Sequence, residues 1–158
     1  MSNLVLSSYA SEKLLLTLWV GGLWAIGFIA VPMAFVNLGD VSLAGNYAGQ
    51  LFTAINLLGL GCGGVLIFTK IIQHKLKVKQ LWRFWVLVLM VAMTLVFSMY
   101  LQPEIAELKQ LAWQTEQSLT DRFSLLHDLS KNLYLLLSLF GLALVLSTDK
   151  QIQLLKTS

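Results

Sequence analysis

Charge is absent from four long stretches of this chain, and that absence limits the fold more than any motif does. Leu14–Gly39, Val41–Thr69, Phe84–Pro103 and Asn132–Thr148 contain no Asp, Glu, Lys or Arg. A bilayer core about 30 Å thick is crossed by roughly 20 apolar helical residues. Three of the stretches reach that length, and Phe123, Leu125, Leu126 and Leu129 carry the apolar character of the fourth backward. In hydrocarbon every backbone polar group must be paired internally, which leaves helices or closed barrels. The alternation that marks a membrane barrel is missing. The expected fold is an all-α, integral membrane four-helix bundle, a single domain over residues 1–158. Its spans are expected near 12–38, 43–70, 81–102 and 124–148.

Composition excludes the other classes. Charged residues are 12% of the chain, against about 25% in a soluble domain. Hydrophobic residues are 57% and the mean hydropathy is +0.74, which excludes disorder. One cysteine, Cys62, excludes an intrachain disulfide scaffold. The first span is too long, and lacks a small-x-small site, for a cleaved signal peptide. Its compactness and lack of targeting segments suggest a bacterial inner membrane.

Basic residues set the expected orientation. Lys13, Lys70, Lys75, Lys77, Lys79, Arg83, Lys150 and Lys156 fall on one side of the spans. The opposite loops hold Lys109 and Arg122 against Asp40, Glu104, Glu107, Glu116 and Asp121. The positive-inside rule then puts both termini in the cytoplasm. The basic link between spans two and three is a topology determinant that also suits anionic lipid, so the bilayer is a partner and nucleic acid is not. Trp82 and Trp85 at one face, and Tyr47, Tyr100 and Trp113 near the other, fit aromatic belts.

The outer segment Gln102–Asp121 is expected to be partly helical. Pro103 should kink or end span three. Ile105, Leu108, Leu111 and Ala112 then recur at the spacing of a short amphipathic helix. Ser118 followed by Asp121 reads as a capping start for a fourth helix near 119–148, about 45 Å long at 1.5 Å per residue. That length exceeds the bilayer and projects outside, as an interfacial cap or as a lid over a site.

Small residues mark close packing. Gly21 and Ala25 form a small-x-x-x-small pair, and Ala44, Gly45, Ala48 and Gly49 open span two. Packing within the bundle, or a homodimer face, accounts for them. The run Gly59, Gly61, Gly63, Gly64 predicts a deformed or kinked helix, with Cys62 inside it as a small buried apolar group.

Polar residues inside the spans are the functional clue. His127, Lys131, Tyr134 and Ser138 share one face of helix four, with Ser130 beside them. Asn46, Gln50 and Thr53 share a face of helix two, with Asn56 one step on, and Thr94, Ser98 and Gln102 share one of helix three. With the expected topology all three stripes fall in the outer half, which predicts a polar pocket opening there. His127 is the principal candidate for metal binding, proton relay or a hydrogen bond, oriented by Asp128 or Glu104. Lys131 either contributes to the site, snorkels, or pairs with Asp128. Met33, Met99 and His127 are candidate copper(I) ligands, set against methionine as core filler. Only His74 and His127 exist for haem, and topology puts them on opposite sides, which excludes an intrachain bis-histidine haem but not one shared across a dimer. There is no phosphate loop, CxxC, HExxH or nucleophile motif.

The sequence resembles the transmembrane protein 205-like family of small four-helix membrane proteins. The residues that carry the likeness are Leu18-Trp19-Val20-Gly21-Gly22 with Phe28, Pro32 and Phe35. Ala44-Gly45 with Ala48-Gly49 and Phe52 follow, then Arg122-Phe123 through Leu126-His127 with Ser130 and Asn132. A fainter likeness is to the copper resistance protein D membrane domain, whose additional histidines this chain lacks. The resemblance implies a multi-pass membrane protein and no particular activity or cofactor. The leading expectation is a non-enzymatic module that binds a small ligand, ion or partner subunit through the outer pocket. The alternatives are a small oxidoreductase using haem or quinone, and a copper-handling transporter acting as an oligomer.

Overall fold

Each charge-free stretch forms a helix, and each helix runs past its stretch to take in flanking charges. The computed structural model describes residues 2–74, 82–111 and 116–147. Lys75, Lys77, Lys79, Ala112, Trp113, Lys150 and Lys156 lie outside the described residues. The elements are α1 (Ser2–Ala25), a π-helical turn (Ile26–Ala30), α2 (Val31–Asn37), α3 (Val41–His74), α4 (Trp82–Val96), a second π-helical turn (Phe97–Leu101), α5 (Gln102–Gln110) and α6 (Gln117–Leu146). They make four continuous helical spans, Ala10–Asn37, Val41–Gln73, Trp82–Gln110 and Gln117–Leu146, each long and apolar enough to cross a membrane.

The spans close a ring in which α1 packs on α3, α3 on α4, α4 on α6 and α6 back on α1. The core is apolar along its length, from Leu16, Trp19 and Leu23 through Ile55, Leu66, Leu87, Met90 and Phe97 to Leu137 and Leu144. Most large side chains on the outer faces, such as Leu57, Phe68 and Leu146, are exposed, as expected where lipid replaces water. Gly39 makes the turn between the first two spans with φ +68°, a left-handed conformation suited to glycine. Asp40 then caps α3, its carboxylate accepting from the Ser42 and Leu43 amides at 2.7 and 3.1 Å.

The kinks fall elsewhere than the glycines predict. α3 is one unbroken α-helix through Gly59–Gly64. Two of its glycines, Gly59 and Gly63, instead make room for a neighbour. A Cβ on Gly59 would stand 2.2 Å from Nε1 of the fully buried Trp19, and one on Gly63 would stand 2.4 Å from Val91. Gly21 faces outward with open space around it, so the Gly21/Ala25 pair is not a contact within the bundle, whereas Gly22 seats Ile55.

The irregular turns belong to spans one and three. Val31 N–H reaches Ile26 O, and Gln102 N–H reaches Phe97 O, each one residue further than in an α-helix. A proline follows each turn. Its ring clashes with the carbonyl four residues back and supplies no N–H, and a widened turn relieves both problems. Pro103 therefore follows a widened turn without ending span three, and α5 continues to Gln110. The two π-turns lie 71 positions apart, as do Pro32 and Pro103. α6 begins at Gln117, one residue before the expected cap. Ser118 thus lies in the first turn, where its hydroxyl donates to Glu116 Oε1 at 2.7 Å rather than capping the helix.

Candidate functional site

Two polar clusters occupy opposite ends of the bundle. At the end where α1 enters, Glu12 accepts from Lys70 of α3 at 2.8 Å and from Arg83 of α4 at 2.7 Å. The three side chains are 15%, 7% and 4% exposed. The other arm of Arg83 reaches the C-terminus of α6, donating to Leu144 O at 3.1 Å, Ser147 O at 2.7 Å and Ser147 Oγ. Lys13 donates to Val145 O, and to Ser147 O at 3.1 Å. Cations at a helix C-terminus answer its unpaired carbonyls and its dipole. A small cavity lined by Glu12, Leu16, Leu66, Lys70, Arg83, Leu87 and Leu144 adjoins the cluster. Lys13, Lys70 and Arg83 are thus more than orientation signals, because three of the four spans meet on one carboxylate and the fourth on Arg83.

In the remote half, Tyr134 of α6 is inserted into span one. Its hydroxyl donates to Leu23 O at 2.5 Å and lies against Gly27. The hydroxyl thus occupies a carbonyl that an α-helix would pair with the Gly27 amide, just ahead of the π-turn at Ile26–Ala30. A Cβ on Gly27 would lie 2.3 Å from the Tyr134 ring, so only glycine admits the wedge. Phe52 and Phe97 pack against the ring with centroids at 5.1 and 6.3 Å.

Gln102, the residue after the second π-turn, joins span three to α3. Its amide donates to Gly49 O at 3.2 Å and Thr53 Oγ at 3.3 Å, and its oxygen accepts from Asn56 at 3.3 Å. Further out, Lys109 donates to Gly45 O at 3.0 Å, and Arg122 pairs with Glu104. The parts of α3, α5 and α6 remote from Glu12 are held together by these bonds.

The expected stripes separate into buried and exposed members. Ser130, Ser138 and Thr94 are buried, and their hydroxyls bond the carbonyl four residues back. Thr53, exposed, bonds Gly49 O as well as Gln102. Ser98 is half-buried, while Asn46 and Gln50 are exposed. His127 is exposed and its ring stacks on Phe123 with centroids 5.9 Å apart and planes 7° apart. It lies seven residues before Tyr134, on the side of α6 that turns inward deeper in the bundle. Lys131 pairs with Asp128 at 2.7 Å, both about 60% exposed, and Glu104 is engaged by Arg122. Met33 and Met99 are exposed. His74 ends α3 at the Glu12 end, whereas His127 lies in the other half of the bundle. Among the described residues no group of three or more His, Cys, Asp or Glu side chains converges as a metal site.

Glu12 is the functional-site residue that sequence reasoning overlooks. A signal existed, since it is an acid directly ahead of the first charge-free stretch, at the end crowded with bases. Asn56 and Gln102 were visible as stripe members, but their mutual bond needs the packing of α3 on α4.

Four apolar helices with polar clusters at both ends define a multi-pass helical membrane protein. A family model described as a domain of unknown function, DUF4149, matches residues 14–114, and the chain belongs to that family. No curated protein and no solved structure matches it.

Proposed function

We propose that the protein is a non-enzymatic membrane module that binds a small ligand, an ion or a partner subunit at the outer mouth of its bundle. His127 is the principal contact, with Lys131, Tyr134, Ser138, Asn46, Gln50, Thr53 and Ser98 forming the surrounding polar surface and wall. The observation that carries this reading is the position of His127. It is the one imidazole on the inward-turning side of α6 among residues left exposed above the Tyr134 wedge. Intramembrane ionisable groups are functional by default because lipid contact is costly.

The finer topology belongs to the same proposal. Both termini are cytoplasmic, α5 is an amphipathic segment covering the outer face, and the membrane is a bacterial inner membrane. The likeness to the transmembrane protein 205-like family fits this reading without adding an activity. A copper(I) site using His127, Met33 and Met99 is a distinct outcome of the same test.

Native mass spectrometry with metal analysis tests the proposal on wild type and His127→Ala. A bound mass, metal or second subunit present in wild type and lost in His127→Ala is expected. Identical spectra from both proteins overturn it.

A further inference from the structure

Spans one and three follow one pattern displaced by 71 residues, and so do α3 and α6. The π-turns Ile26–Ala30 and Phe97–Leu101, and the prolines that follow them, stand at that interval. So do the buried pairs Leu16 and Leu87, Trp19 and Met90, and Leu23 and Thr94. In α3 the buried positions Ile55, Gly59 and Leu66 recur in α6 as Leu126, Ser130 and Leu137. Phe52-Thr53-Ala54-Ile55-Asn56 of α3 aligns with Phe123-Ser124-Leu125-Leu126-His127 of α6, with the ring identical, the hydroxyl kept and Asn replaced by His. Packing repeats as well, since α3 lies on α4 as α6 lies on α1. The bundle is two helical hairpins about a pseudo-two-fold axis along its length, an arrangement in which sites form between the repeats beside their broken helices.

The two hairpins treat one set of equivalent positions differently. On the first side Asn56 is buried and donates to Gln102 Oε1 at 3.3 Å. Gln102 Nε2 donates to Gly49 O at 3.2 Å and Thr53 Oγ at 3.3 Å. On the second side His127 stands for Asn56, Ser124 for Thr53, Thr120 for Gly49 and Val31 for Gln102. Contacts between α6 and span one give the same level without the repeat. These helices run antiparallel, with Lys13 on Val145 and Tyr134 on Leu23. Two turns outward on each, counting the extra residue of the π-turn, bring His127 level with Val31. Val31 is half-buried and has no polar side-chain atom. Among the described residues neither the His127 imidazole nor the Ser124 hydroxyl makes a hydrogen bond, and both are exposed. One half-site is filled by its own chain and its twin is not.

We propose that the unfilled half-site, between α6 and the π-turn of span one, takes a carboxamide group in the place that the Gln102 side chain holds in the other hairpin. The inference rests on the outer-mouth reading of His127 and names its ligand chemistry. A carboxamide carries an acceptor and two donors. Its oxygen accepts from the imidazole N–H as Gln102 accepts from Asn56. Its nitrogen donates toward the Ser124 hydroxyl and the Thr120 carbonyl, as Gln102 donates to Thr53 and Gly49. A carboxylate has no donor for a carbonyl, and an ammonium has no acceptor for the imidazole N–H. The carboxamide belongs to a free small amide or to a side chain of another membrane protein.

Substitutions in the full chain test the half-site. Val31→Gln supplies the missing amide from span one itself. In a double-mutant cycle of Val31→Gln with His127→Ala, read by unfolding in mixed micelles, the two positions should couple by roughly three- to tenfold in the unfolding equilibrium constant, the range for one interhelical side-chain bond in a membrane. The cycle of Gln102→Val with Asn56→Ala calibrates it on the filled side. Acetamide titrated onto nitrogen-15-labelled protein in lipid nanodiscs should move the His127 imidazole signal saturably in wild type and in Val31→Ala, and leave it unmoved in Val31→Gln. Native mass spectrometry of membrane-extracted protein distinguishes the sources, since Val31→Gln should release a small mass if the amide is free and a protein subunit if it is a side chain. No coupling between positions 31 and 127 overturns the placement, whatever His127→Ala does to a bound mass, so this failure is distinct from failure of the outer-mouth reading. Acetate moving the His127 signal as strongly as acetamide, an acetamide response unchanged in Val31→Gln, or a wild-type bound mass retained by Val31→Gln overturns the ligand assignment.

Discussion

Glu12→Gln should unfold the bundle more readily than any other single charge removal. The substitution keeps the size of the side chain and removes its charge, leaving Lys70 and Arg83 in place at 7% and 4% exposure. Arg83 retains acceptors on α6, but those carbonyls carry only partial charge, and Lys70 loses its carboxylate partner. Removing one partner of a buried ion pair costs about 3–5 kcal/mol, because the remaining charge stays desolvated. The Arg122–Glu104 pair is an internal comparison. Arg122 is 56% exposed there, and an exposed pair contributes about 0–1 kcal/mol. Unfolding of purified protein in mixed micelles, followed by helical signal as the denaturing detergent fraction rises, measures both variants. A loss of about 3–5 kcal/mol for Glu12→Gln and under about 1 kcal/mol for Glu104→Gln is expected. Equal losses, or a Glu12→Gln protein within about 1 kcal/mol of wild type, would show that the cluster is hydrated and refute the argument. The exchange Glu12→Arg with Arg83→Glu should not restore stability, since a carboxylate at position 83 would face the α6 carbonyls.

Two further substitutions probe the packing between spans. Gly59→Ala should cost about 1–3 kcal/mol by pressing on the rigid Trp19 indole, while Gly61→Ala, with nothing within 4 Å, should be neutral or slightly stabilising through helix propensity; the same micelle titration separates them, and equal effects would contradict the seating of Trp19. Tyr134→Phe should cost about 1 kcal/mol, less than a stranded carbonyl would, because Leu23 O and Gly27 N–H can then pair directly; amide hydrogen exchange should show protection at Gly27 retained in the variant, and its loss would argue against the wedge.

The spans were legible because absence of charge is a long-range property that no local packing can override. Their ends were less so. Glu12, Lys13, Lys70 and Arg83 read as flanking charges, yet the helices continue through them and fold them inward against one another. Which cation meets Glu12 depends on which helices are neighbours, and a pair separated by 71 positions leaves no periodic trace. The glycine run misled for a related reason. Gly59 and Gly63 were read as backbone freedom, whereas they are space reserved for Trp19 from another span. The outer stripes were found by helical period. The period did not distinguish a hydroxyl bonded to its own helix, as in Ser130 and Ser138, from a side chain left open, as in His127.

The carboxylate of Glu12 also imposes a sequence of events on a chain made from its N-terminus. Span one arrives in the membrane with Glu12 uncompensated by either of its eventual partners. Lys70 follows 58 residues later, when the first pair of spans is complete, and Arg83 follows 13 residues after that. Only when α6 has arrived do the Leu144 and Ser147 carbonyls engage the second arm of Arg83. Each new span thus meets a charge that its predecessors have left waiting, and the bundle is drawn shut in the order in which it is synthesised.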